Sequence, residues 1–173
     1  MKVGVLSDTH IPIKAKALPD EVLQAFKEVD CIIHAGDITS LEVLDMLNTL
    51  APVIAVSGNG DHDKLQAILS DKEMITLNGY RIGITHGHGS TGKTLDRVIK
   101  CFENDPVDCI IFGHSHIPYC ETINRVLLFN PGSPTDKRRN KFFSFGILEL
   151  GDRIEAKHIF FKKVLVKTES RKI

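Results

Sequence analysis

Five short polar motifs punctuate this chain, each at the point where an apolar run ends. They are Asp8-Thr9-His10, Gly36-Asp37, Gly58-Asn59, His86-Gly87-His88 and Gly113-His114-Ser115-His116. In an open α/β sheet the carboxyl ends of parallel strands converge on one crevice, where ligands bind. Strands ending in these motifs would gather two carboxylates, an amide and several imidazoles in one place. Such donors hold divalent metals of mixed nitrogen and oxygen preference. The pattern reads as a two-metal site.

The runs before the motifs support that geometry. Residues 3–7, 31–35 and 53–57 are short, continuous and rich in β-branched side chains, as strands buried on both faces are. Leu18, Val22, Leu23 and Phe26 follow helical spacing, as do Leu41, Leu44 and Leu47, with Thr39 and Glu42 spaced as a capping box. This β-α-β-α-β order implies a parallel sheet. Asn78-Gly79 between residues 74–77 and 80–85 predicts a hairpin with a type I′ turn. A helix over 94–102 and a buried strand over 109–112 follow. The last third reads as mostly antiparallel, with strands over 119–123, 126–129, 142–150 and 153–161. The expected fold is α/β, with two mixed sheets face to face and helices outside. Residues 1–173 are read as a single domain, with 162–173 a terminal strand or basic tail.

Lys plus Arg equal Asp plus Glu at 22 each, so net charge gives no pull toward nucleic acid or membrane. The strongest local exception is Lys137-Arg138-Arg139-Asn140-Lys141. Cys31, Cys101, Cys109 and Cys120 show no C-x-x-C spacing and read as reduced thiols, three of them within apolar runs. Met1 leads directly into the first strand, leaving no room for a leader peptide. No apolar stretch approaches the roughly 20 residues of a membrane span. The expected location is the cytoplasm.

Asp8 and His10 are spaced to reach one ion from an extended loop, and the Asp37 carboxylate has two oxygens able to bridge two metals. Two divalent ions, two carboxylates and a bridging hydroxide leave a net charge of about +1 with neutral imidazoles. That charge attracts a phosphate anion, and two ions about 3.5–4 Å apart would poise the hydroxide for in-line attack. Each motif alone is a weak signal; five in order at strand ends are not.

The order D-x-H, G-D, G-N, H-G-H, G-H-S-H resembles the calcineurin-like metallophosphoesterase superfamily, in particular its small single-domain phosphodiesterase branch. The match runs from Val3 to about Ser133. The resemblance implies a four-layer α/β/β/α sandwich and hydrolysis of a small phosphodiester. It implies two divalent ions, Mn2+ foremost, with Ni2+, Zn2+, Fe2+ or Co2+ also suited to the donors. Asp8, His10 and His116 would hold one ion, Asn59, His86 and His114 the other, and Asp37 both. Asp37, His86 and His116 would assemble the nucleophile. Members of that branch often form dimers or tetramers, so a homo-oligomer is expected.

One position departs from the larger members. They carry a His after the motif Asn that is thought to protonate the leaving group, whereas this chain has Gly60. The departure favours diesters with good leaving groups, and His62 and His88 are candidate substitutes. His34 reads as a hydrogen-bonded group supporting the site, and His158 as a surface residue. Two alternatives remain. A retromer subunit similar to this family uses the fold as a protein-binding scaffold. Separately, residues 87–94 match the P-loop pattern G-x-x-x-x-G-K-[ST] letter for letter, the mark of a nucleotide triphosphatase. The strand after it ends in Phe112-Gly113-His114, without the Asp such an enzyme needs for Mg2+.

Overall fold

A computed structural model describes residues 1–162; the expected terminal strand or tail lies, from residue 163 on, outside the described residues. The chain opens with strand β1 (Lys2–Leu6), helix α1 (Asp20–Ala25) extended by a 3₁₀ turn, β2 (Cys31–Ala35), α2 (Leu41–Asn48), β3 (Val53–Val56) and α3 (Asp63–Gln66). It continues with β4 (Lys72–Leu77), β5 (Tyr80–Thr85), α4 (Thr94–Cys101), β6 (Cys109–Ile111), β7 (Tyr119–Ile123), β8 (Val126–Asn130), β9 (Phe143–Leu150) and β10 (Ile154–Phe161).

Two five-stranded mixed sheets form, in the orders β10-β9-β1-β2-β3 and β4-β5-β6-β8-β7. Strands β1, β2 and β3 pair in parallel, and β9 runs antiparallel against β1 with Val3 opposite Leu148. In the second sheet β5, β6 and β8 are parallel. The hairpin β4–β5 closes at Asn78 and Gly79, both at positive φ, as a type I′ turn requires.

Side-chain alternation along the strands separates three apolar layers. Val3, Val5, Cys31, Ile33, Ile82, Ile84, Cys109 and Ile111 fill the space between the sheets. Leu6, Ile32 and Phe145 pack outward against Val22, Phe26 and Leu47 of the first helices. Ile110, Phe112 and Leu128 pack outward against Val98 and Phe102 at α4. The arrangement is the four-layer sandwich. Phe26 lies so close over Gly4 that a Cβ there would meet its ring at 2.8 Å.

Several local expectations need correction. Strand β3 is the edge of its sheet, and three of its four residues are only half-buried. The Thr39–Glu42 capping box does not form: Ser40 is the N-cap, and the Thr39 hydroxyl instead donates to Ile11 O at 2.5 Å. His158 is half-buried rather than on the surface, stacked on Phe129 at 4.6 Å with Nε2 against Asn130 O. Cys31 and Cys109 are buried, Cys101 is half-buried and Cys120 exposed, all as free thiols.

Candidate metal centre

The loops leaving β1, β2, β5 and β6 meet at one end of the two sheets. Asp8 N–H donates to Gly36 O and His10 N–H to Asp37 O, both at 3.0 Å, tying the first two loops together. Asp8, His10, Asp37, His114 and His116 all adopt left-handed backbone, with φ between 44° and 67°. For residues bearing a Cβ this costs on the order of 1–3 kcal/mol each, so the surrounding structure must hold them there. Their side chains are thereby turned inward from the strand ends. Gly36 must lack a side chain, since a Cβ would lie 2.7 Å from His86 Nδ1.

Five side chains converge. Asp8 Oδ1 lies 3.2 Å from His116 Nε2, 3.9 Å from His86 Nε2 and 4.0 Å from His10 Nε2. Asp37 Oδ2 lies 3.2 Å from His86 Nε2 and 3.4 Å from His10 Nε2. His10 and His116 stack, their Nε2 atoms 3.3 Å apart. Two groups are spaced to hold ions, Asp8–His10–His116 and Asp8–Asp37–His86, with Asp8 in both. Of the second expected set, the His114 ring stands edge-on 5.3 Å from that of His86. Asn59 is exposed in the turn between Gly58 and Gly60.

The tautomers follow from the hydrogen bonds. His86 Nδ1 lies 2.7 Å from Ala35 O, and His116 Nδ1 lies 2.6 Å from Asp136 O. A carbonyl only accepts, so both Nδ1 atoms carry a proton and both Nε2 atoms face the cluster, where loss of the second proton leaves a lone pair for a metal ion. His86 Nε2 is buried and has no hydrogen-bond partner among the described residues. Imidazole nitrogens and carboxylates facing one another in a buried space call for a cation between them, a proton or a metal ion.

Electrostatics agree with that geometry. Burial opposes ionisation of Asp8, but its bond to His116 and the nearby imidazoles outweigh it and hold the carboxyl below its usual range. Asp37 is likewise held low against burial by His86 and the Gly60 N–H. Burial favours neutral His86 and His116, yet Asp37 and Asp8 respectively raise their proton affinity. For His10 and His114 burial prevails and the affinity falls. His34 is buried, pushed down to about 3 by that burial, and meets the Thr9 hydroxyl at 3.0 Å through Nε2. It thus supports the Asp8–His10 loop.

Several supporting residues escaped sequence reasoning. Asp61 is buried and accepts three backbone N–H groups, from Gly58, Asp37 and Thr39, at 2.7–3.1 Å. Its place three residues after Gly58, in a polar turn, was the one available signal. The segment after β8 contributes Ser133, which donates to Asp8 O at 2.8 Å, and Thr135, which donates to Thr9 O at 2.5 Å. Nothing in their spacing announces a contact with residues more than a hundred positions earlier.

The proton-donor candidates differ in placement. His62 is exposed at the N-terminus of α3, outside the cluster. His88 is exposed too, but its ring stands 5.7 Å from that of His86. Gly60 donates its N–H to Asp37 Oδ1 at 2.6 Å, and a Cβ there would come within 3.0 Å of the same oxygen.

The P-loop pattern is corrected by its own backbone. A P-loop turns N–H groups inward onto phosphates. Here the loop turns carbonyls inward onto a cation: Arg97 of α4 donates to Gly87 O at 3.0 Å, Thr91 O at 3.0 Å and Gly92 O at 2.6 Å. Lys93 is exposed at the N-cap of α4.

A four-layer α/β sandwich with buried Asp and His side chains converging at its strand ends defines a metal-binding protein of the phosphoesterase class. The chain belongs to the calcineurin-like phosphoesterase superfamily, whose domain profile matches residues 1–153. It is 39% identical over 160 residues to the probable metallophosphoesterase MJ0623 of Methanocaldococcus jannaschii, covering 92% of this chain and 81% of that one. It is 32% identical over 146 residues to the phosphodiesterase MJ0936 of the same organism, covering 76% and 83%. Among solved structures it resembles Vps29 of Entamoeba histolytica in complex with Zn2+, at 25% identity and TM-score 0.72, covering 94% of this chain and all of that one.

Proposed function

We propose that the protein hydrolyses phosphodiesters at a dinuclear centre. Asp8, His10 and His116 hold one divalent ion, Asn59, His86 and His114 the other, and Asp37 is shared. The observation that carries this reading is the Nε2 of His86, buried, without a hydrogen-bond partner among the described residues and 3.2 Å from Asp37 Oδ2. Leaving such a nitrogen without a partner costs about 1–3 kcal/mol, a cost that a cation accepting its lone pair removes.

Bound there, divalent ions supply Lewis acidity toward the phosphoryl group and lower the pKa of water. The chain's own residues do the positioning. Ala35 O and Asp136 O fix the tautomers of His86 and His116. The Gly60 N–H orients Asp37, and the His114 N–H holds Asp8 at 3.0 Å from its Oδ2. No imidazole follows Asn59, and partial desolvation together with the neighbouring His86 lowers the proton affinity of the exposed His88, so leaving-group protonation is weak and activated esters are preferred. Mixed nitrogen and oxygen donors accept Mn2+, Ni2+, Zn2+, Fe2+ or Co2+ according to supply as much as geometry, and the resemblance puts Mn2+ foremost. Free thiols fit a reducing cytoplasm, and no helix among the described residues is long and apolar enough to cross a membrane. A homo-oligomer follows from the resembled branch.

The test is turnover by metal-stripped protein reconstituted with Mn2+, comparing bis-p-nitrophenyl phosphate with p-nitrophenyl phosphate. The expected result is metal-dependent hydrolysis, at least about tenfold faster on the diester, a difference of roughly 1.4 kcal/mol. A preference for the monoester would overturn the leaving-group argument. No turnover with any of the five metals would favour the scaffold.

A further inference from the structure

The basic run 137–141 does not lie apart from the site but is folded onto it. The imidazole of His116 bonds Asp136 O, and His116 O accepts the Asn140 side-chain amide at 2.8 Å. The four residues 137–140 form a turn closed by Asn140 N–H to Lys137 O at 2.8 Å. The flanking lysines are engaged locally, Lys137 half-buried and Lys141 exposed. Lys137 Nζ donates to Asn140 O at 2.9 Å and lies 5.9 Å from the Phe143 ring, and Lys141 Nζ sits over Phe142 at 5.4 Å. The tip presents Arg138 and Arg139, both exposed and in no ion pair among the described residues. Arg138 is held at φ 46° by its N–H bond to Asp136 Oδ1. The nearby carboxylate is already engaged, since Asp136 Oδ2 faces Lys14 at 3.6 Å and His116 at 3.8 Å.

We infer that Arg138 and Arg139 form an anion subsite beside the metal centre, and that the preferred substrate is a phosphodiester carrying a second phosphate on the same molecule. This rests on the phosphodiesterase reading. A chain of net charge zero carries two exposed arginines, in no ion pair among the described residues, on a turn that is hydrogen-bonded to the ligand His116. Guanidinium is the side chain that pairs with phosphate oxygens two at a time. Asp136 serves both functions, its carbonyl on His116 and its carboxylate on the Arg138 amide, so subsite and centre keep a fixed separation.

The test compares two esters that differ by one phosphate: the p-nitrophenyl ester of thymidine 5′-phosphate and the same ester bearing a 3′-phosphate. With the Mn2+-loaded protein, kcat/KM is expected to favour the second by about tenfold or more in low salt, with the ratio shrinking as ionic strength rises. The double variant Arg138→Gln with Arg139→Gln is expected to bring the ratio below threefold. Arg153→Gln, an exposed cation paired with Glu155 at 3.0 Å, keeps the ratio of the parent. A parent that does not discriminate, or a double variant that still does, overturns the subsite. Binding of thymidine 3′,5′-bisphosphate, followed by calorimetry, separates the two readings. If neither ester is hydrolysed, the phosphodiesterase reading fails. The subsite then stands if the double variant weakens bisphosphate binding at least fivefold, and falls if binding is unchanged.

Discussion

At the scale of single residues, the centre depends on Asp37. Its carboxylate lies against His10 and His86 and takes the Gly60 N–H. Asp37→Asn keeps shape but removes the charge, so diester turnover is expected to fall by more than about a hundredfold, at least roughly 2.7 kcal/mol, with an unchanged circular dichroism spectrum. Near-parental activity would contradict a shared carboxylate. Gly60→His, which would restore the imidazole that larger members carry after the motif Asn, is expected to lower diester turnover. Its Cβ would press on the Asp37 oxygens at 3.0 and 3.2 Å. A gain of monoester activity would show that this loop yields. The histidines also set a pH dependence in the metal-free protein. His10, His34 and His114 titrate below their ordinary 6.5, so their contribution grows as pH rises to about 6.5 and then stays constant. His86 and His116 titrate above it, so theirs is present below 6.5 and lost as pH climbs through the raised values. Melting temperature in EDTA should therefore rise from about pH 4 to 6.5 and fall beyond it, whereas Mn2+ should reverse the fall because ligation needs deprotonated imidazoles. A monotonic rise in EDTA would contradict the pairing of these imidazoles with Asp8 and Asp37. The identities of the site residues were legible because each is a metal-donor type at a strand end. Their left-handed backbone was not, because Asp and His, though enriched at φ > 0, adopt it too rarely to signal it as Gly or Asn-Gly does.

At the scale of elements, the loop between β5 and α4 shows how a motif and its structure part company. Lys93 stands at the exposed N-cap of α4, so Lys93→Ala is expected to keep diester turnover within about tenfold, under roughly 1.4 kcal/mol. Loss of all activity would restore the P-loop reading. Arg97→Ala removes the cation that gathers three carbonyls of the loop and should cost about 1–3 kcal/mol of stability. In a chain of this size that lowers the melting temperature by several degrees; no change would mean that packing, not Arg97, shapes the loop. The buried strands β1, β2 and β6 were readable from continuous apolar runs, and the hairpin of β4 and β5 from Asn-Gly. Strand β3 has the same composition, but its edge position depends on what lies beside it. The four-residue helix α3 is too short for periodicity to register.

At the scale of the whole molecule, the last third carried the least legible information. Its strands read as an antiparallel block, yet β8 lies parallel beside β6 while β9 and β10 cross to the first sheet next to β1. Pairing of Val3 with Leu148 rests on complementary apolar faces nearly the full chain apart, which no local pattern encodes. That crossing brings Ser133, Thr135 and Asp136 under the metal loops. The most direct test of the account is elemental analysis of the protein after stripping and reconstitution with Mn2+, read beside bis-p-nitrophenyl phosphate turnover at each metal occupancy. The account predicts two ions per chain, with turnover appearing as the second is taken up, and fewer than two with Asp37→Asn. Full turnover at one ion per chain, or none at two, would contradict it.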